Sequence, residues 1–294
     1  MIGRRVAIGS FGWRYEINHS HGSPVSQLST TRNRGVIRRA SMAGGTVVVT
    51  GAATRIGREI SLALSKCGFS LAVHYFSSEN EADKLVSIIR SSGGKASSIQ
   101  CDLSNAEAVS GIISKAESSL GPVIGLVNNA SVFSHDDISN VSETSWNAHM
   151  DVNVLSPVLL ISELARRIPD DQTGCIVNIL DQKIAQPNPD HLSYTASRFA
   201  MLGITEALAR GLAPRIRVNA VAPGHTLKSR EQTQSGFNRA QSESPLGFGP
   251  EPIDVAEAVV FLMQARSITG QTIFVDSGER FLARQRDVYF ETEG

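Results

Sequence analysis

"TVVVTGAATRIG", residues 46–57, sets three consecutive valines against a glycine-bearing turn that leads straight into helix-length sequence. A short β-branched run of this kind fits a buried strand. Glycine directly after it lets the backbone turn tightly and approach an anion, and the open N–H groups at the start of the following helix favour negative charge. The same succession recurs down the chain. Candidate strands are Thr46–Thr50, Ser70–Tyr75, Ala96–Gln100, Val123–Asn129, Cys175–Leu180, Arg217–Ala222 and Thr272–Asp276, with helix-length segments between them. Strands alternating with helices imply βαβ crossovers, hence an α/β fold: a doubly wound parallel sheet of about seven strands with helices on both faces, in a single domain. Ligands of such a sheet bind beyond the carboxyl ends of its strands.

The bulk properties agree with that reading. The chain has 294 residues and is 41% apolar, enough for one large core. Lys plus Arg and Asp plus Glu balance at 28 each, so nucleic acid and anionic membrane surfaces are not expected as partners, and a small molecule is. Cys67, Cys101 and Cys175 are too scattered for a disulfide framework or a zinc site, which points to a reducing, cytoplasmic setting and no metal. No apolar run approaches the ~20 residues of a membrane helix. Residues 1–41 differ from the rest: Arg-, Ser- and Gly-rich, with Glu16 as their sole acid. They read as a poorly ordered extension ahead of a domain spanning 42–294, or as an organellar transit peptide. The polar, Gly/Pro-rich stretch 225–252 is expected to be a long loop, either a lid or a disordered segment.

The turn "TGAATRIG" (50–57), with Gly51, Arg55, Ile56 and Gly57, is where a dinucleotide pyrophosphate is expected. About 20 residues on, an NAD site presents a carboxylate to the ribose. Here the strand ends "HYFSS", 74–78, without an acid, and Arg55 can offset a 2′-phosphate, so NADP(H) is the expected cofactor. His74 is either a cofactor contact or a packed ring at a strand end.

These residues resemble the short-chain dehydrogenase/reductase family over 42–277. The resemblance is carried by "TGAATRIG", "CDLSN" (101–105), "NNAS" (128–131), Asn153 in "DVNVLSP", "YTASR" (194–198) and "NAVAPG" (219–224). It implies a single Rossmann-like domain, a nicotinamide cofactor and a homotetramer. It also implies that Asp102 and Leu103 flank the adenine, that Asn129 and Ala130 line the cofactor cleft, and that Pro223 and Gly224 border the nicotinamide. Tyr75, Ser77 and Thr226 complete the implied cofactor contacts, and Asn153 would hold a water in a proton relay. Ile253–Met263 and the last strand correspond to the family's subunit contacts, and the tail 280–294 is expected to fold against a neighbouring subunit.

A reductase of this kind needs an acid to protonate its product and a cation beside that acid. Tyrosine ionises near pH 10, so a neighbouring positive charge is required to bring phenolate within reach. The family uses Tyr-x-x-x-Lys; here Tyr194 is followed by Arg198, which keeps the charge on a wider, planar head. Thirteen residues before Tyr194 the family commonly has serine, and this chain has Asp181, which can relay a proton or accept from an N–H-rich substrate. Asp181, Arg55, Ser131 and Phe133 together resemble the pteridine reductase branch. In that branch the turn arginine reaches the cofactor phosphates and the pterin, and the phenyl ring stacks on the pterin. The branch's basic residue after "HY" is replaced here by Phe76 and Ser77. The expected activity is therefore NADPH-dependent reduction of a dihydropterin-like substrate, with Tyr194, Asp181, Arg198 and Asn153 catalytic. The alternatives are reduction of a 3-oxoacyl thioester or small ketone, and an NADP-binding module of weak or no turnover.

Overall fold

The computed structural model describes residues 44–229 and 231–293; the extension read into residues 1–41 lies outside them. In chain order the elements are β1 (Thr46–Val49), α1 (Arg55–Lys66), β2 (Ser70–Tyr75), α2 (Glu79–Ser91), β3 (Ala96–Gln100), α3 (Ala106–Val109), α4 (Ile112–Leu120), β4 (Val123–Asn128) and α5 (Glu143–Met150). A π-helical turn, Asp151–Leu155, joins α5 to α6 (Ser156–Arg167). There follow β5 (Gly174–Ile179), α7 (Leu192–Gly211), β6 (Ile216–Pro223), α8 (Gln234–Ser242), α9 (Pro252–Gln264), β7 (Thr272–Val275) and α10 (Val288–Thr292).

The seven strands form one sheet in the order β3-β2-β1-β4-β5-β6-β7, every pair parallel. The central strands β1, β4 and β5 are buried along their whole length and read as near-continuous apolar runs because both faces are covered. Alternate side chains serve opposite cores: Val47, Val49, Leu71 and Val73 pack with Ile60, Leu64, Val255 and Leu262 of α1 and α9. On the other face Val48, Leu126 and Ile176 pack with Ile112, Leu160 and Leu164 of α4 and α6. The expected strands are all present, with ends shifted by at most one residue.

Strand order reverses at β1, which lies between β2 and β4, and this opens a crevice at the carboxyl ends. The stretch 225–252 is not the continuous loop expected from its composition. It contains α8, whose first turn is capped by the Thr233 hydroxyl accepting from Gly236 N and by Glu293 accepting from Thr233 N at 2.8 Å. Contact with α10 supplies the burial that its polar sequence does not advertise. No helix among the described residues is long and apolar enough to cross a membrane.

Candidate active site

A cavity of about 710 Å³ occupies the crevice at the carboxyl ends of the strands. One end is built by the turn after β1. Gly51 adopts φ 59°, and a Cβ on Gly57 would lie 2.2 Å from the Gly51 carbonyl oxygen, so neither position accepts another residue without moving the turn. Two strand ends are locked there. Thr50 Oγ1 accepts from the backbone N–H groups of Asn129 and Ala130 at 2.9 and 3.0 Å, and Asn129 Nδ2 donates to the carbonyls of Thr50 and Gly51. α1 starts without an acid in its first turn, leaving its N–H groups open to an anion. Arg55, held at φ 53°, lines the cavity beside Ile56 and reaches across its mouth to the Lys228 carbonyl at 3.4 Å. Tyr75 and Ser77, at the end of β2, line the same side.

His74 is packed at the strand end, the second of its two expected readings. Its ring is 1% exposed and does not line the cavity. Burial lowers its pKa to about 4, opposed by its bond to the Cys101 carbonyl. The neutral ring accepts from Gly51 N at Nδ1, 3.1 Å, so Nε2 carries the proton and donates to Cys101 O at 3.1 Å. It stitches the glycine turn to the ends of β2 and β3. Asp102 and Leu103 also lie outside the cavity wall, Asp102 Oδ1 accepting from the Ser104 amide and hydroxyl.

The other end is built on α7. Tyr194 Oη donates to Asp181 Oδ2 at 2.7 Å, and Asp181 Oδ1 accepts from Lys183 N at 2.8 Å, capping a short turn after β5. The Arg198 guanidinium lies 4.7 Å from the centre of the Tyr194 ring, donates to the Ile179 carbonyl at 3.2 Å, and donates to Ser131 Oγ. Burial pushes the Tyr194 phenol up, Arg198 pulls it down, and Asp181 adds to the rise, so the group stands protonated. Phe133 is half exposed into the cavity; one face stacks on His191, with centroids 4.1 Å apart, and its ring meets Tyr194 edge to face. Pro223, Gly224 and Thr226 form the wall after β6.

Asn153 does not line the cavity. Its Oδ1 accepts from Val132 N, and its Nδ2 donates to Val132 O and Ser197 Oγ, so the amide braces the 131–133 segment against α7.

Several residues that shape the site carry no short motif. Asp136 caps the first turn of α7 by accepting from Ser193 N and Oγ, and it also accepts from Ser145 Oγ. Burial pushes its carboxyl up, but these bonds outweigh that and hold it below the usual carboxylate range. The tail makes bonds within its own chain. Arg286 forms a forked pair with Asp190, and Lys183 pairs with Asp287 at 3.1 Å, bringing Asp287, Val288 and Phe290 into the cavity wall. Glu279, directly beyond the turn after β7, is buried in the same wall. Its position past a strand's carboxyl end was the available signal. Among the described residues no cluster of His, Cys, Asp and Glu is arranged to hold a metal.

A family model described as enoyl-(acyl carrier protein) reductase matches residues 51–279. The 3-oxoacyl-[acyl-carrier-protein] reductase FabG of Staphylococcus epidermidis is 33% identical over 236 residues, covering 79% of this chain and 97% of that protein. The crystal structure of FolM alternative dihydrofolate reductase 1 from Brucella canis, complexed with NADP, is 39% identical with a TM-score of 0.78, over 83% of this chain and 97% of that one. Its counterpart from Brucella suis, also with NADP, is 39% identical with a TM-score of 0.76, over 83% and 98%.

Proposed function

The chain belongs to the short-chain dehydrogenase/reductase family of oxidoreductases, and from that premise we propose that it reduces a dihydropterin-like substrate with NADPH. The observation that carries the proposal is the bond from Tyr194 Oη to Asp181 Oδ2, in a wall shared with Phe133. A serine at position 181 would offer a hydroxyl to a substrate carbonyl. A carboxylate accepts N–H groups and steadies a phenol that gives its proton to nitrogen.

The residues present fit a dinucleotide. Gly51 and Gly57 let the turn close tightly on itself and on Asn129, beside open helix N–H groups, and Arg55 and Ser77 line the same end. Asn129, Ala130, Pro223, Gly224 and Thr226 line the run toward Tyr194, and Arg198 stands beside its ring. Bound NADPH supplies a hydride to the C=N carbon of the substrate. Tyr194 passes its proton to the adjacent nitrogen, Asp181 holds the phenol in line, and Arg198 balances the phenolate that remains. Phe133 offers its exposed surface to a flat ring. The two NADP-bound relatives named alternative dihydrofolate reductase support this reading.

A second reading, reduction of a 3-oxoacyl thioester, is favoured by the identity to FabG. A third, cofactor binding with little turnover, is motivated by arginine at position 198. Exposed Ile253 and Phe261 on α9, beside edge strand β7, support a subunit contact and a homotetramer. NADPH oxidation measured with dihydrobiopterin, dihydromonapterin, dihydrofolate and an acetoacetyl thioester separates the readings. Turnover of a pteridine is expected. Turnover of the thioester alone replaces the first reading with the second, and tight NADPH binding without turnover of any of the four leaves the third.

A further inference from the structure

Glu279 is 2% exposed and lines the cavity, yet only one of its carboxyl oxygens is engaged. Oε2 accepts from His225 N at 2.7 Å; Oε1 is fully buried and has no hydrogen-bond partner among the described residues. A buried carboxyl oxygen left without a donor is costly, and native proteins rarely keep one without a reason. The position is made for this side chain. Gly224 opposes it, and a Cβ there would come within 2.7 Å of Glu279 Oε2 and 2.8 Å of Asp276 Cα.

A second orphan shares the cavity. Arg284 gives Nη1 to Glu291 and Nη2 to Glu243, at 2.9 and 3.0 Å, while its Nε is buried with no partner among the described residues. The side chains that carry this unused acceptor and this unused donor both line the chamber that holds Tyr194 and Asp181.

We infer that Glu279 determines substrate class, its free Oε1 accepting an N–H from an amino-substituted or lactam-bearing heterocycle, with Arg284 Nε available to that heterocycle's acceptor atoms. An aminopyrimidinone edge offers both kinds of atom. A thioester has no N–H to offer to Asp181 or to ionised Glu279 and is disfavoured by these carboxylates. Electrostatics agree: burial first, then the charges of Asp181 and Asp276, against the His225 N–H and Arg284, raise the Glu279 pKa to about 7. The carboxyl is short of donors until a ligand brings one.

This inference rests on the pterin reading, and the test separates the two. Glu279→Gln keeps an acceptor for His225 N and turns the free atom into a donor. Binding of dihydrobiopterin to the NADP+ complex is measured by titration calorimetry, with KM for the same substrate, the Kd for NADPH, and the melting temperature. The expected result is a rise of about tenfold or more in the pterin Kd and KM, the size of one lost bond to a charged group, with the NADPH Kd and melting temperature kept. Unchanged pterin affinity in Glu279→Gln, beside pterin turnover by the wild type, overturns the inference and leaves the reading intact. A wild type that neither binds nor reduces any pteridine overturns both. The wild-type protein also answers without a variant: a pteridinedione methylated at its ring N–H positions is expected to bind at least about tenfold more weakly than its unmethylated parent. Equal binding overturns the inference.

Discussion

The hydroxyl of Tyr194 and the carboxylate of Asp181, thirteen positions apart, are joined by one hydrogen bond of 2.7 Å, and Asp181 is itself fixed by the backbone N–H of Lys183. The pair is therefore oriented before any substrate arrives, which is the condition under which a positioned acid contributes to rate. Tyr194→Phe is expected to lower kcat by on the order of 10²- to 10⁴-fold while NADPH binding, followed by fluorescence titration, survives. Turnover close to wild type in that variant would place the proton donor elsewhere. Because burial and Asp181 hold the phenol protonated, kcat is expected to show no loss of the Tyr194 proton as pH rises from 7 to 9.

Arg198 holds three things at once: the Ile179 carbonyl, Ser131 Oγ and the face of the Tyr194 ring. A lysine has one compact head and cannot span both acceptors. Arg198→Lys is therefore expected to cost roughly 1–3 kcal/mol of transition-state stabilisation, about 5- to 150-fold in kcat/KM, from the buried acceptor left unpaired. A gain in kcat/KM would mean that the natural enzyme is tuned down by its guanidinium.

His74 sets an acid limit on stability. Its folded-state pKa is lowered to about 4, mainly by burial, against an ordinary value of 6.5. As pH falls below 6.5 the unfolded chain takes up a proton that the folded chain refuses, so stability is complete above that pH and declines between 6.5 and 4, by up to roughly 3 kcal/mol. Urea unfolding across this window is expected to show that decline. In His74→Gln the stability at pH 7.5 should be lower and the slope between pH 6.5 and 4 flatter; an unchanged slope would assign the acid sensitivity to other groups.

Asp136 works at one remove from the chemistry, through the first turn of α7. Asp136→Ala removes the acceptor for Ser193 N and Oγ, with an expected stability loss of about 1–3 kcal/mol and a fall in kcat as Tyr194 loses its alignment. The affinity for NADPH should change little, since the glycine turn is held separately by Thr50 and Asn129. A loss of NADPH affinity as large as the loss of kcat would mean that the two ends of the site are not independent.

Much of the architecture was legible because central strands covered on both faces become near-continuous apolar runs, and seven short strand candidates with helix-length spacers leave few topologies. Residues 51–57, 181, 194 and 198 were legible because glycine needs and proton chemistry are local in sequence. His74 was ambiguous for a physical reason: a histidine at a strand end serves a cofactor or a neighbouring carbonyl equally well until the ends of β1 and β3 are placed. The bracing bonds of Asn153 to Val132 and Ser197 were not legible, because they cross 21 and 44 positions. α8 was hidden by its polarity, as only contact with α10 makes it worth folding. Glu279 was silent for the same reason, since its role depends on which wall it meets.

The chamber begins with Gly51 and is completed by Phe290, so its wall draws on the first βα turn and on the last helix of the described chain. No fragment much shorter than this span owns a whole binding surface. A ligand that fits it grips both ends of the polypeptide together, and its affinity is then a gauge of global integrity: occupancy raises the free energy of complete unfolding instead of that of one loop. Loosening the Arg286–Asp190 clasp would thus be felt as weaker ligand protection of the entire molecule, far from the place where the change was made.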